Sequence, residues 1–199
     1  MAQKSKKYQS LAAVAIVFGV VASPAVAGAA TDTTTITSDI GSAITITSDG
    51  SVTADVTPTS SAAQTIASDT VTVNTNNSAG YTLQLADSDA TNTLASGGNS
   101  LPALGGTVAS PVAQTANTWG FRVDGQGGFG AGPTSSQNSG ALGSVTFAGV
   151  PASSSPVTIR TTSSVASNDD TTVWYGVAAN NTQPTGTYSG QVTYTATAN

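Results

Sequence analysis

Polar and apolar residues alternate along much of this chain, most regularly at its end. Over residues 186–198, Tyr188, Val192, Tyr194, Ala196 and Ala198 take even positions, and Ser189, Gln191, Thr193, Thr195 and Thr197 take odd ones. Side chains of a strand point to opposite faces in turn, so the pattern predicts a strand with one apolar and one hydroxyl-rich face. An isolated strand is not stable, so its partners must come from earlier in the chain. Residues 43–47 and 51–56 alternate around Asp49-Gly50, a pair that tolerates the positive φ of a type I′ turn, and predict a β-hairpin. Residues 70–74 and 80–85 alternate around 76–80 and predict a second hairpin with a longer turn. Residues 58–68 and 87–106 read as loops, the second pinned to the core by Leu101 and Leu104. Trp119, Phe121 and Val123 share one face of a strand over 117–123 and form the largest apolar cluster. Residues 144–148, 156–161 and 172–178 predict three further strands, and 180–184 a turn into the last. The sum is about nine or ten strands and no helix after the leader, an all-β chain folded as an antiparallel β-sandwich.

Composition supports the strands. Charged residues are 8% of the chain, against about a quarter in ordinary globular proteins. Thr is the most frequent residue, and Val, Ser and Gly are abundant, whereas the helix formers Leu and Lys are scarce and Glu is absent. Three of the five bases, Lys4, Lys6 and Lys7, precede an apolar run over 11–22 and the small residues Ser23-Pro24-Ala25-Val26-Ala27. That order is a secretory signal peptide with cleavage after Ala27 or Ala30. The run falls short of the roughly 20 residues a bilayer-spanning helix needs. The expected organisation is a signal peptide over 1–27, an N-terminal β arm over 28–56 and a sandwich over 57–199, with 28–199 folding as one unit. The expected location is outside the cell or on its surface, with no membrane part in the mature form.

After cleavage two bases, Arg122 and Arg160, face ten acids, a net charge of −8. Nucleic acid and anionic membranes are poor partners for such a surface, because phosphate binding needs clustered Lys and Arg. There is no Cys, so no disulfide framework supports the fold, and no His. Histidine triads, thiol nucleophiles and His-based zinc sites are therefore excluded. A Ser-Lys dyad and a Lys-Asn isopeptide link would need a lysine that the mature chain lacks. The glycines of 125–132 lack the lysine and following helix of a phosphate-binding loop. The chain reads as a non-enzyme.

Trp119-Gly120-Phe121 and Tyr188-Ser189-Gly190-Gln191-Val192 resemble the paired signatures of WxL-type cell-surface domains. The resemblance covers two short motifs, with Phe121 in place of Leu and Tyr194-Thr195-Ala196 where a second Trp-x-Leu often lies. It implies a secreted, β-rich protein held non-covalently by the bacterial wall, with Trp119, Phe121, Tyr188 and Val192 as wall contacts. The chain is similar also to uncharacterised exported proteins of small-genome bacteria that end in a like strand, which imply no activity. Ordinary strand packing accounts for these aromatics without further explanation.

Two oxygen-rich stretches, around Asp87 and Asp89 and around Asp169 and Asp170, have the ligand type of a Ca2+ site. The first lacks the Gly and Glu of an EF-hand, and Asp and Asn serve turns equally well. The expectation is no cofactor, with Ca2+ as the alternative. Three functions compete. One is a structural or adhesive surface protein in contact with a wall polymer, a surface glycan or another protein. Another is a filament or lattice subunit that self-associates by adding the 31–56 arm to a neighbour's sheet. The third is a glycan-binding module stacking sugars on an aromatic. Val173, Tyr175 and Val177 share a face, which leaves Trp174 on the other as the best candidate for exposure. An N-terminal near-repeat, Thr35-Ile36-Thr37-Ser38-Asp39 and Thr45-Ile46-Thr47-Ser48-Asp49, is too short for a solenoid.

Overall fold

The computed structural model describes residues 31–88 and 90–199. The segment over 1–27 expected to be a signal peptide, and Asp89, lie outside the described residues. Twelve strands are present: β1 (Ile44–Thr47), β2 (Ala63–Thr75), β3 (Tyr81–Asp87), β4 (Thr93–Ser96), β5 (Asn99–Pro102), β6 (Val112–Ala113), β7 (Thr118–Arg122), β8 (Gln137–Ala141), β9 (Thr146–Phe147), β10 (Val157–Thr161), β11 (Ala166–Ala179) and β12 (Val192–Ala198). Among the described residues there is no helix. The fold is all-β, as the alternation predicts.

One sheet runs β1-β2-β11-β7, with β8 also on β2, and the other runs β10-β3-β12; every strand pairing is antiparallel. The core lies between them. Val71 and Val73 of β2, Val173 and Tyr175 of β11, and Trp119 and Phe121 of β7 meet Tyr81, Leu83 and Leu85 of β3 and Ile159 of β10. Each set sits on alternate positions, so one face of each of these five strands is removed from water. The outer face of the first sheet carries a second cluster of Ile66, Leu104 and Phe147.

Several expected elements differ. The 43–47 and 51–56 segments are not hairpin partners: β1 pairs with β2, from Ile44 opposite Thr75 to Thr47 opposite Thr72. Gly50 has φ 86° as a turn would require, but the bend ends the ladder instead of reversing it. Asp49 holds the bend, accepting the Thr70 N–H at 3.0 Å and donating its own N–H to Asp69 at 2.9 Å. The 70–74 and 80–85 segments are not a hairpin either, because β2 and β3 lie in opposite sheets. The turn between them crosses the sandwich edge. Most of 58–68 is strand, since β2 begins at Ala63. Its first four residues are buried on both faces, which erases the alternation that would betray it. The 87–106 loop contains the β4–β5 hairpin, and Leu101 and Leu104 are buried as expected. The last strand is shorter than 186–198, starting at Val192, with Ser189 making one isolated bridge to Ala95.

The chain falls into two units, Met1–Asp39 and Ile40–Asn199. β1 and the 51–56 stretch thus belong to the sandwich, and the arm proper ends near Asp39. Of the first unit, residues 31–39 are described; they form no strand and all are exposed.

Candidate functional site

Five strands face three, so the smaller sheet leaves part of the larger uncovered. There an open cleft of about 780 Å3 forms. Its floor is the β7–β11 pair, where Trp119 stands opposite Val177, with Tyr175 and Ala179 to either side. One wall is the 51–56 stretch, with Val52, Ala54 and Val56 half-buried and Ser51, Thr53 and Asp55 exposed. The other is the 183–191 segment and the first residues of β12.

The first wall is built like a strand but is not paired as one. Among the described residues, no backbone–backbone hydrogen bond reaches 51–56. It is held by side chains: the Thr65 hydroxyl donates to the Asp55 carbonyl, and Thr57 N–H donates to the Ser139 hydroxyl at 2.8 Å. On the other side β12 pairs only with β3, which leaves its second edge open.

Buried hydroxyls close one end of the cleft. The Tyr175 and Tyr194 hydroxyls are 2.6 Å apart, with the buried Asp69 carboxylate beside them. Burial pushes both phenols well above the ordinary tyrosine value, and for Tyr194 the neighbouring phenol and Asp69 add to the rise. Neither is a base or a ready proton donor at neutral pH. The remaining titratable lining groups are Asp55 and Tyr188, so the cleft offers apolar surface, hydroxyls and free backbone.

A third tyrosine titrates late for a different reason. Burial and the Asp169 carboxylate, which accepts the Tyr81 hydroxyl at 2.8 Å, push Tyr81 from 10.0 up to about 12. The folded value lies above the unfolded one, so this stability is present below pH 10 and is lost as pH rises through about 12. Tyr81→Phe should therefore lose stability less steeply than the parent over that interval, in urea unfolding at stepped pH. Equal slopes in the two proteins would refute the assignment.

The cleft brings together Trp119, Tyr188 and Val192 and leaves Phe121 and Trp174 out. Trp119 is 3% exposed; its ring N–H donates to the Asn92 carbonyl at 3.2 Å, and its carbonyl accepts the Leu104 N–H at 2.7 Å. The Tyr188 hydroxyl accepts from Gln183 at 2.8 Å and donates to the Pro184 carbonyl at 2.7 Å, fixing its own loop. Val192 is half-buried against the core. Phe121 is fully buried, edge-on to Phe129 with ring centres 5.9 Å apart. Trp174 is half-buried, not exposed: it does face away from Tyr175, but the Ile66, Leu104 and Phe147 cluster covers that face. No described aromatic is exposed.

The acid pairs do not converge. Asp169 is engaged by Arg160 and by Tyr81, and Asp170 accepts the Thr72 hydroxyl at 2.6 Å. Asp87 ends β3, six residues from Tyr81, or about 20 Å along a strand. Among the described residues no three carboxylates gather as a metal cluster would. Asp69 and the unpaired 51–56 wall went unread. Asp69 sits among Ser68 and Thr70 like a turn residue, and no sequence signal separates a strand-like wall from a strand.

Comparison with protein-family models, with curated proteins and with solved structures returns no match.

Proposed function

We propose that this is an exported, non-catalytic structural or adhesive protein of the cell surface, whose work is contact through the folded sandwich. The observation that carries the reading is the open cleft, which is lined by aliphatic, aromatic, hydroxyl and backbone groups, with Asp55 and Asp69 as its only charged residues. Such a surface suits contact with a chain, and no histidine, lysine or thiol stands in it to serve turnover. The leader over 1–27 supports export, and the WxL-like motifs support a wall partner, since Trp119, Tyr188 and Val192 share that cleft. Glycan stacking is less favoured, because sugar platforms present an open ring face and no described aromatic is exposed.

The test is fractionation of cells expressing the full chain. High salt or mild denaturant should release the protein from the wall fraction. Its absence from that fraction, with all of it in the medium, would overturn wall association.

No metal is assigned to the fold, because Asp169 is occupied by Arg160 and Tyr81 and Asp87 stands apart from it. Millimolar Ca2+ or a chelator should leave the melting temperature unchanged. A ligand at 100 times its Kd would add about 2.7 kcal/mol, a rise of several degrees that melting curves would resolve.

A further inference from the structure

We propose that the cleft receives an extended strand from a second copy of this chain, donated by residues 35–40. This deepens the contact reading above by naming the partner. Four observations converge on that occupant.

The acceptor is half of a sheet already. Among the described residues, 51–56 run alongside β2 with no backbone–backbone hydrogen bond, and β12 presents an open edge across the cleft. A strand laid between them would satisfy backbone groups on one or both sides, the bonding that drives strand addition. The floor beneath, Trp119 and Val177, is apolar.

The donor is, among the described residues, the stretch with the most exposed large apolar side chains. Ile36 is 89% and Ile40 86% exposed, the two most exposed large apolar side chains of the described residues. In an extended segment they lie on one face with Ser38 between them, about 13 Å apart. Residues 31–39 form no strand and are exposed, and the cleft holds unpaired backbone, so each supplies what the other lacks between chains.

The near-repeat shows that this sequence suits such a ladder. Thr45-Ile46-Thr47 already pairs with β2 immediately before the 51–56 wall, and Thr35-Ile36-Thr37 is identical to it.

The differences between the copies then decide which place the arm takes. It cannot simply replace β1. Ile44, packed against the core, would become Thr34, and Gly50 at φ 86° would become Ile40. A β-branched residue at positive φ is strained, so the resident β1 keeps its place. The first copy has no glycine at that point and continues straight through Ile40, as an added strand must. Charge does not drive the docking, since Asp39 approaches a cleft that holds Asp55 and Asp69. Salt should therefore strengthen association by screening.

The chain has no cysteine, so single cysteines report contacts cleanly. Protein carrying Ile36→Cys, mixed under mild oxidation with protein carrying Val177→Cys, should give a mixed disulfide dimer. Thr187→Cys, on the exposed cleft wall, serves the same purpose without touching the core. Val165→Cys is the control, 61% exposed and outside the cleft lining. Cross-linking to Val177 and Thr187 but not to Val165 supports the proposal; none at the cleft, or equal yields at all three, overturns it. Light scattering of the secreted chain should show mass rising with concentration and salt, and Ile36→Asp with Ile40→Asp should return it to monomer. A strictly monomeric parent refutes strand donation while leaving wall extraction intact. Loss from the wall with assembly preserved refutes the surface reading alone.

Discussion

Replacing Arg122 with Met should cost about 3–5 kcal/mol of folding stability, because it strands a partly buried carboxylate. Arg122 is 5% exposed on the β7 strand. Its Nε donates to Asp124 at 2.6 Å and to the Thr134 hydroxyl at 2.7 Å, and its guanidinium stands 5.7 Å from the Phe129 ring centre. Asp124 in turn accepts the Thr134 N–H at 2.8 Å and hydroxyl at 2.7 Å, so one cation holds the 125–132 loop closed. Burial raises the Asp124 pKa, but the Thr134 N–H, the Thr134 hydroxyl and Arg122 together outweigh it and hold the carboxyl below its ordinary 3.8. The folded value is depressed, so this contribution is present above the ordinary carboxylate range and is lost as pH falls through and below it. The melting temperature of Arg122→Met at neutral pH should fall by roughly 10 °C. The deficit against the parent should shrink in acid, where the parent's Asp124 is neutral too. Asp124→Asn should make the Arg122 substitution cheaper, since no carboxylate is left to strand. A cost under about 1 kcal/mol at neutral pH, the range of an exposed pair, would show that the ion pair is solvated.

The fold class was legible because one physical signal dominates it. Wherever a strand has one wet face, as in β12, the period of two survives in the sequence; over Trp119, Phe121 and Val123 it survives because Gly120 and Arg122, though buried, are not apolar side chains. Partners were less legible. Asp49-Gly50 has the chemistry of a hairpin turn, and Gly50 adopts the required φ, yet the long β2 outcompetes 51–56 for β1. Local turn chemistry states that the chain bends there, and the long-range ladder decides what it then pairs with. The early part of β2 was invisible for the opposite reason. Ala63, Gln64, Thr65 and Ile66 are all buried, because the Leu104 and Phe147 cluster covers the outer face, so no wet side marks the strand. In the candidate site, Trp119, Tyr188 and Val192 were picked out singly, and only the fold shows that they share a cleft. The cleft itself is an absence of covering strands, which no residue encodes. Its unpaired wall is written in the same Ser, Val, Thr and Ala as the strands beside it.

Phe121→Ala separates packing from contact at the residue where the two explanations meet. As a wall contact, Phe121 would be exposed, and truncation would weaken surface retention while leaving stability alone. As a core anchor its removal should cost about 3–5 kcal/mol, the range for a buried aromatic cut back to Ala. The geometry favours the second outcome. Phe121 is fully buried, faces Tyr175 across the β7–β11 ladder, and meets Phe129 edge-on. Its loss would open a cavity and also remove the surface on which Phe129 anchors the glycine-rich loop. Because Arg122 leans on Phe129, the two substitutions share a partner, and their combined cost should differ from the sum of the singles. Trp174→Ala supplies the contrast: a larger ring, but half-buried on a satellite cluster, where truncation should cost less than at Phe121. Urea unfolding of the three variants gives the order directly. If Phe121→Ala were as stable as the parent and released from the wall fraction, the residue would be a contact and this account of the core would be wrong.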